Sequence, residues 1–370
     1  MKLAAISVYQ VDLPFDRGPY RLSAGRTWTG MDNTVVRFDT DCGIVGWGES
    51  CPFGPNYLEA FAEGVRAGIR ELSPILVGQD PSQPKVVYNR METAMLGHPY
   101  VKHAVDMACW DIMGKVAGVP LYKLMGGLLT ERVPTAGGLP METGKLMQEM
   151  MARHRRNGCT QYSCKASGNA GLDIEYIREV GSMLHPGESI KFDANGGWRV
   201  DEAIRVMRAV THLDLYFEQP CTSYEECRAV YRACGRPVIL DECALDLPVI
   251  VQGINEGICC GLNLKLARGG GITPSLEIRN VCCALGVPVY IQCTGGNQLT
   301  QAAIVHMAHS TPADRLLSVW NIGDLASLGT VENPLLKPEQ GHLAANPGAG
   351  LGVTPDLERM GPPVYHFHAP

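Results

Sequence analysis

The chain has 370 residues, 45% hydrophobic and 19% charged, and its 32 basic and 38 acidic side chains give a net charge of −6. This composition excludes wholesale disorder and a fibrous repeat, and it leaves room for two domains or for one large α/β barrel with an attachment. The densest basic run, His154-Arg155-Arg156, falls in a helical stretch, and no apolar run reaches the length of a membrane span. Neither nucleic acid nor a membrane is therefore an expected partner.

The start, Met1-Lys2-Leu3-Ala4-Ala5-Ile6, runs into an alternating strand pattern without the apolar core of a signal peptide. The chain also has 14 cysteines, most of them in apolar stretches and none in a Cys-x-x-Cys spacing. A chain this long does not need a disulfide framework, so reduced, buried thiols in a cytoplasmic protein are expected.

The first strand is read over residues 6–13 and ends at Pro14. A long polar loop follows at 15–32, then strands at 34–40 and 44–49 and a second loop at 50–56. Long loops in compact domains are often functional. Apolar residues Leu58, Phe61, Val65, Ile69 and Leu72 predict a helix over 57–72, with further helices at 86–96 and 100–116. Residues 1–125 thus read as an α+β N-terminal capping domain.

After Gly126-Gly127 the rhythm becomes alternation. Strand-like runs at 133–138, 160–165, 189–193, 213–218, 238–241, 261–265, 288–293 and 316–320 are separated by helical stretches such as 173–184 and 201–210. Eight such units over residues 126–340 predict an α/β fold, a (β/α)8 TIM-like barrel with one irregular unit. A doubly wound open sheet is the alternative, but no G-x-G-x-x-G follows the first strand. The Gly- and Pro-rich segment 341–370 is expected to return to the cap.

Barrel active sites lie at the C-terminal ends of the strands. Strands two to six end in Lys165, Asp193, Glu218, Asp241-Glu242 and Lys265, spaced 28, 25, 23 and 24 residues apart. Each interval is one βα unit, so these side chains converge on one pocket. A lone strand-end Asp is often a helix cap, and a lone Lys is often solvated. Three carboxylates in a ring repel one another unless a hard cation lies between them, and three oxygen ligands with open positions suit Mg²⁺. A lysine beside a divalent cation can act as a base, and two on opposite sides could remove and return a proton α to a carboxylate. The cation would stabilise the enediolate. Return of the proton gives racemisation or epimerisation, whereas loss of a β-hydroxyl gives dehydration. Zinc is not expected from the ten histidines.

At these residues the chain resembles the enolase superfamily, in its muconate-lactonizing and mandelate-racemase-like branch. The resemblance rests on Cys109-Trp110-Asp111-Ile112-Met113-Gly114-Lys115, Asp193-Ala194-Asn195-Gly196-Gly197-Trp198, Phe217-Glu218-Gln219-Pro220, Leu240-Asp241-Glu242 and Leu264-Lys265. It implies that Asp193, Glu218 and Asp241 bind one Mg²⁺, that Lys165 and Lys265 are the acid/base pair, and that the loops at 15–32 and 50–57 close over the pocket. Relatives commonly assemble as homo-oligomers. The branch usually carries Lys-x-Lys on strand two, but here the run is Ser163-Cys164-Lys165. Strand seven ends in Gln292-Cys293-Thr294 without the histidine of mandelate-racemase-like members, which favours the two-lysine class.

Within that class, Gly97-His98-Pro99-Tyr100, Cys51-Pro52-Phe53-Gly54-Pro55 and Gly350-Leu351-Gly352-Val353-Thr354-Pro355 resemble enzymes acting on proline derivatives. The expected activity is dehydration of cis-3-hydroxy-L-proline, with 2-epimerisation or racemisation of proline betaine, hydroxyproline betaine or another amino-acid derivative as the alternative. A third reading is a non-catalytic relative that binds metal and a carboxylate. Asn195 and Glu242 are candidates for supporting the metal ligands or touching substrate, as are Tyr57, Cys293, Thr294 and Trp320. Trp320 could hold a quaternary ammonium by cation–π attraction or merely plug the barrel. Tyr57 could equally pack at the helix start. Cys164, opposite in direction to Lys165, should be buried outside the barrel interior, and Cys293 lacks a visible base.

Overall fold

A computed structural model describes residues 1–16, 18–324 and 336–368. Arg17 of the loop at 15–32, residues 325–335 of the expected barrel and the last two residues of the tail lie outside the described residues.

Strands Leu3–Pro14, Gly30–Thr40 and Val45–Ser50 form an antiparallel meander, and Tyr365–His368 pairs along the free edge of the first. The helix Pro99–Ala117 lies directly on the third strand. Gly46 and Gly48 make that approach possible, because a Cβ on Gly48 would stand 1.9 Å from the Ala104 carbonyl oxygen. This helix is buried over most of its length and ends at Gly118, whose φ of 68° is a left-handed cap.

The barrel strands are Ala136–Leu139, Gln161–Lys165, Ser189–Asp193, Tyr216–Glu218, Val238–Leu240, Cys259–Lys265, Val289–Gln292 and Leu316–Val319. They are parallel and ordered as in the sequence, and a Thr135–Val319 bridge closes the ring. Helices alternate with them, as the sequence predicts.

Several boundaries differ from the sequence reading. The run at 133–138 is split: Val133–Pro134 pairs antiparallel with His342–Leu343, and the barrel strand starts at Ala136. Pro134 cannot donate to a continuing ladder. The run at 213–218 contributes only Tyr216–Glu218, because Leu213 closes a turn on Val210. The helix expected from residue 57 starts at Ala62 and runs through Pro74 to Leu76. The loop at 15–32 holds a short hairpin of Tyr20–Arg21 with Thr27–Trp28, and the next strand begins at Gly30. The C-terminal strand carries a His-x-His spacing, His366-Phe367-His368, with ring centroids 5.6 Å apart. This spacing is one that metal-binding histidines use, but among the described residues no third ligand joins the pair.

Nine of the cysteines are buried. Cys164 is among them, and burial pushes its thiol above its ordinary value. No helix among the described residues is long and apolar enough to cross a membrane.

Candidate active site

Parallel pairing sets the site. Lys165 is register partner to Asp193, and Asp193 to Glu218, so the ends of strands two, three and four stand level. Asp241 follows the fifth strand and Lys265 ends the sixth. The carboxylates of Asp193, Glu218 and Asp241 offer oxygens within 4.8 Å of one another, and all three residues are buried. Three hard oxygen donors in a buried triangle fit a divalent cation of the magnesium kind.

Each carboxylate has a cation beside it. Lys165 Nζ lies 2.6 Å from Asp193 Oδ2, and Lys265 Nζ lies 2.6 Å from Asp241 Oδ2. Arg268 donates to Asp241 Oδ1, and Lys191 donates to Glu218 Oε2. The Lys191 ammonium also sits 4.2 Å above the Tyr290 ring. Asn263 Nδ2 bridges Glu218 Oε1 (2.6 Å) and Asp241 Oδ2 (3.2 Å).

Asn195 gives its backbone N–H to Asp193 Oδ1, and its amide to Asp193 Oδ2 and to Glu242 Oε1. It does so in the left-handed region, at φ 46°. Gln219, at φ 38°, likewise accepts the Asp241 and Cys243 N–H groups and so ties the fourth strand end to the fifth. Including Glu242, the cluster holds four carboxylates and four cations. Burial lifts the Glu218 carboxyl, Asp193 adds to this, and Lys191 partly offsets it. Burial also works against ionised Asp241, but Arg268 and Lys265 outweigh it and hold that carboxyl well below the usual range. For Lys165 and Lys265 burial favours the neutral amine, yet Asp193 and Asp241 respectively keep each ammonium above its ordinary value.

The other candidates are placed differently. Tyr57 lies in the turn before the first helix, and its hydroxyl accepts from Lys265 Nζ at 2.9 Å. The Arg26 guanidinium stands over the same ring and donates to the Asn195 carbonyl. Glu242 Oε2 is buried and has no hydrogen-bond partner among the described residues. Thr294 spends its hydroxyl on the Cys51 carbonyl, 2.8 Å away. The Cys293 thiol packs against His103 of the cap helix, 3.9 Å from Nε2. Half-buried Trp320 follows the eighth strand, and its carbonyl accepts from Gln301.

Lys191, Asn263, Arg268 and Arg26 were not expected. Period two gave a signal for two of them, since Lys191 and Asn263 lie two residues before Asp193 and Lys265 and so point the same way.

Comparison with known proteins decides the family. Residues 145–360 match the enolase C-terminal domain-like model, and residues 5–126 match the mandelate racemase/muconate lactonizing enzyme N-terminal domain. The chain belongs to the enolase superfamily. Within it, the chain is 39% identical to cis-3-hydroxy-L-proline dehydratase of Roseibium aggregatum, over 99% of this chain and 100% of that one. It is 27% identical to N-succinyl-L-Arg/Lys racemase of Bacillus cereus, over 96% of each. A solved enolase-superfamily member from Roseovarius nubinhibens ISM, complexed with magnesium, superposes with a TM-score of 0.93 at 35% identity, covering all of both chains. The chain is thus an enolase-superfamily enzyme, and the reading as a non-catalytic relative is set aside.

Proposed function

We propose that this enzyme dehydrates cis-3-hydroxy-L-proline by taking the proton α to its carboxylate. The observation that carries this reading is the pair of amines, half-buried Lys165 and buried Lys265, on either side of a carboxylate triangle. The similarity to the Roseibium dehydratase over the full chain supports the substrate. On this reading residues 1–125 cap a barrel of residues 126–340, and residues 341–370 return to the cap.

A magnesium ion held by Asp193, Glu218 and Asp241 would supply positive charge beside the substrate carboxylate and the dianion left by the departing proton. With that charge offsetting the pull of Asp193 and Asp241 on the ammonium protons, one lysine, as neutral amine, takes the α-proton. The other, as ammonium, gives a proton to the 3-hydroxyl as its C–O bond breaks, so the group leaves as water. The resulting enamine tautomerises to a ketimine. Tyr57 and Asp241 together fix the Lys265 amine. Lys191, Asn263 and Arg268 hold the inner sides of Glu218 and Asp241 and keep those carboxylates oriented.

Epimerisation at C2 of a proline derivative is the second reading. It is favoured by the likeness of the two amines, each 2.6 Å from its own carboxylate. Incubation with magnesium in D₂O separates the two. Ketimine with loss of the hydroxyl supports dehydration, and recovered substrate carrying α-deuterium supports epimerisation. Neither outcome across a panel of proline derivatives would discard the substrate class.

A further inference from the structure

The cap meets the barrel through a buried carboxylate that the chemistry above does not use. Glu49, in the third cap strand, is fully buried. Its Oε2 accepts the N–H of Asn297 at 2.8 Å, the N–H of Thr300 at 3.0 Å and the Thr300 hydroxyl at 2.7 Å. These donors belong to the opening turn of helix Gln298–His309, which follows the seventh barrel strand. A carboxylate at a helix N-terminus satisfies N–H groups that have no partner within the helix and lies at the positive end of its dipole.

The contact continues along the chain. Thr294 gives its hydroxyl to the Cys51 carbonyl, and a Cβ on Gly295 would stand 2.7 Å from Cys51 Sγ and 3.1 Å from Met31 Sδ. The loop after strand seven therefore fits beneath residue 51 with no space left. From there the cap loop runs through Phe53, which packs on Trp28 and Phe15, to Tyr57, which also packs on Trp28. Tyr57 ends this stretch with its hydroxyl on Lys265. The loop is short, with one end seated on the barrel by Glu49 and Thr294 and the other delivering a side chain to the site.

We infer that Glu49 is a positioning residue: by seating the start of the 50–57 loop on the helix after strand seven, it sets the Tyr57 hydroxyl against the Lys265 amine. Glu49 touches neither substrate nor the reacting atoms. The inference rests on Lys265 taking part in proton transfer, so its test has one arm that does not depend on activity.

That arm is amide hydrogen exchange on the full-length protein. Glu49→Ala should speed exchange in peptides covering residues 51–61 and leave those covering 189–193 and 259–265 unchanged. Equal protection of 51–61 in parent and variant overturns the inference, whether or not the parent turns over any substrate. The kinetic arm is a double-mutant cycle on α-proton exchange. Glu49→Ala and Tyr57→Phe should each slow exchange, by up to about 10²-fold, the scale of a small misplacement at the reacting groups. The double variant should be no slower than the slower single, because both changes remove the same contact. Glu49→Gln, which keeps an acceptor oxygen, should recover most of the rate. Magnesium affinity by calorimetry should match the parent in every variant. Effects that multiply in the double variant, a full rate in Glu49→Ala, or a matching loss of magnesium affinity would each overturn the assignment. Should Glu49→Ala fail to fold, Thr300→Val removes one of the three donors, and the same comparisons apply.

Discussion

Removing one active-site lysine should not cost the same as removing the other. Lys165 is the cation that touches Asp193, whose side chain is 3% exposed. After Lys165→Ala, Asp193 keeps only the two donors of Asn195 among the described residues. Removing one partner of a buried ion pair costs about 3–5 kcal/mol. Lys165 is itself 19% exposed, which admits water and places the loss near the lower end of that range. Asp241 is better provided for. After Lys265→Ala it still has Arg268 and Asn263, and the Tyr57 hydroxyl that also loses Lys265 is uncharged, so the loss is dominated by one charge-assisted hydrogen bond, about 1.5–3 kcal/mol. With a chelator present, urea unfolding should therefore find Lys165→Ala the less stable variant, by up to about 1.5 kcal/mol, at equal denaturant slopes. Added magnesium should narrow the gap by neutralising Asp193. Equal losses, or a greater loss for Lys265→Ala, would refute this account of which cation supports which carboxylate.

Other consequences can be measured separately. Asp193→Asn and Glu218→Gln should each abolish the magnesium binding that calorimetry finds in the parent, and retained binding in both would remove these residues from the ligand set. Gly48→Ala places a methyl 1.9 Å from the Ala104 carbonyl oxygen and should cost at least the about 1–3 kcal/mol typical of overpacking, read as a lower Tm. An unchanged Tm would mean that the cap helix does not sit where described. Burial lifts the Asp106 carboxyl to about 7 against the hydrogen bonds from Thr273 that lower it. A folded-state value above the ordinary 3.8 means that the protonated acid's contribution is complete below pH 3.8 and is lost as pH rises through about 7. Asp106→Asn should therefore flatten the fall in stability between about pH 4 and about pH 7, and an unchanged slope would contradict this origin.

Much of the site was legible because barrel strands are short and end in distinctive residues. Lys165, Asp193, Glu218 and Lys265 each close an apolar run at the interval of one βα unit, and parallel pairing places them level. Residues reached by other geometry were harder to find. Lys191 and Asn263 face the same interior one step down the strand, a signal that period two contains. Arg268 lies in the helical turn after Lys265, where strand alternation no longer gives direction. Glu49 meets Asn297 and Thr300 from 248 and 251 residues away, and no local pattern in the chain carries that contact. The surroundings of Thr294 and Cys293 were hidden for the same reason: the cap, distant in sequence, takes the hydroxyl of one and packs on the thiol of the other. Tyr57 fell within an apolar helical rhythm that begins five residues before the helix itself, because Gly54 starts a turn there.

The central claim is that two lysines move a proton at the carbon α to a carboxylate. Its most direct test is magnesium-dependent deuterium uptake at the α-carbon, or isotope-labelled ketimine formation, with proline-type substrates in D₂O. The parent should react, and Lys165→Ala and Lys265→Ala should each react about 10²–10⁴-fold more slowly while still folding. Undiminished reaction in both variants would contradict the account.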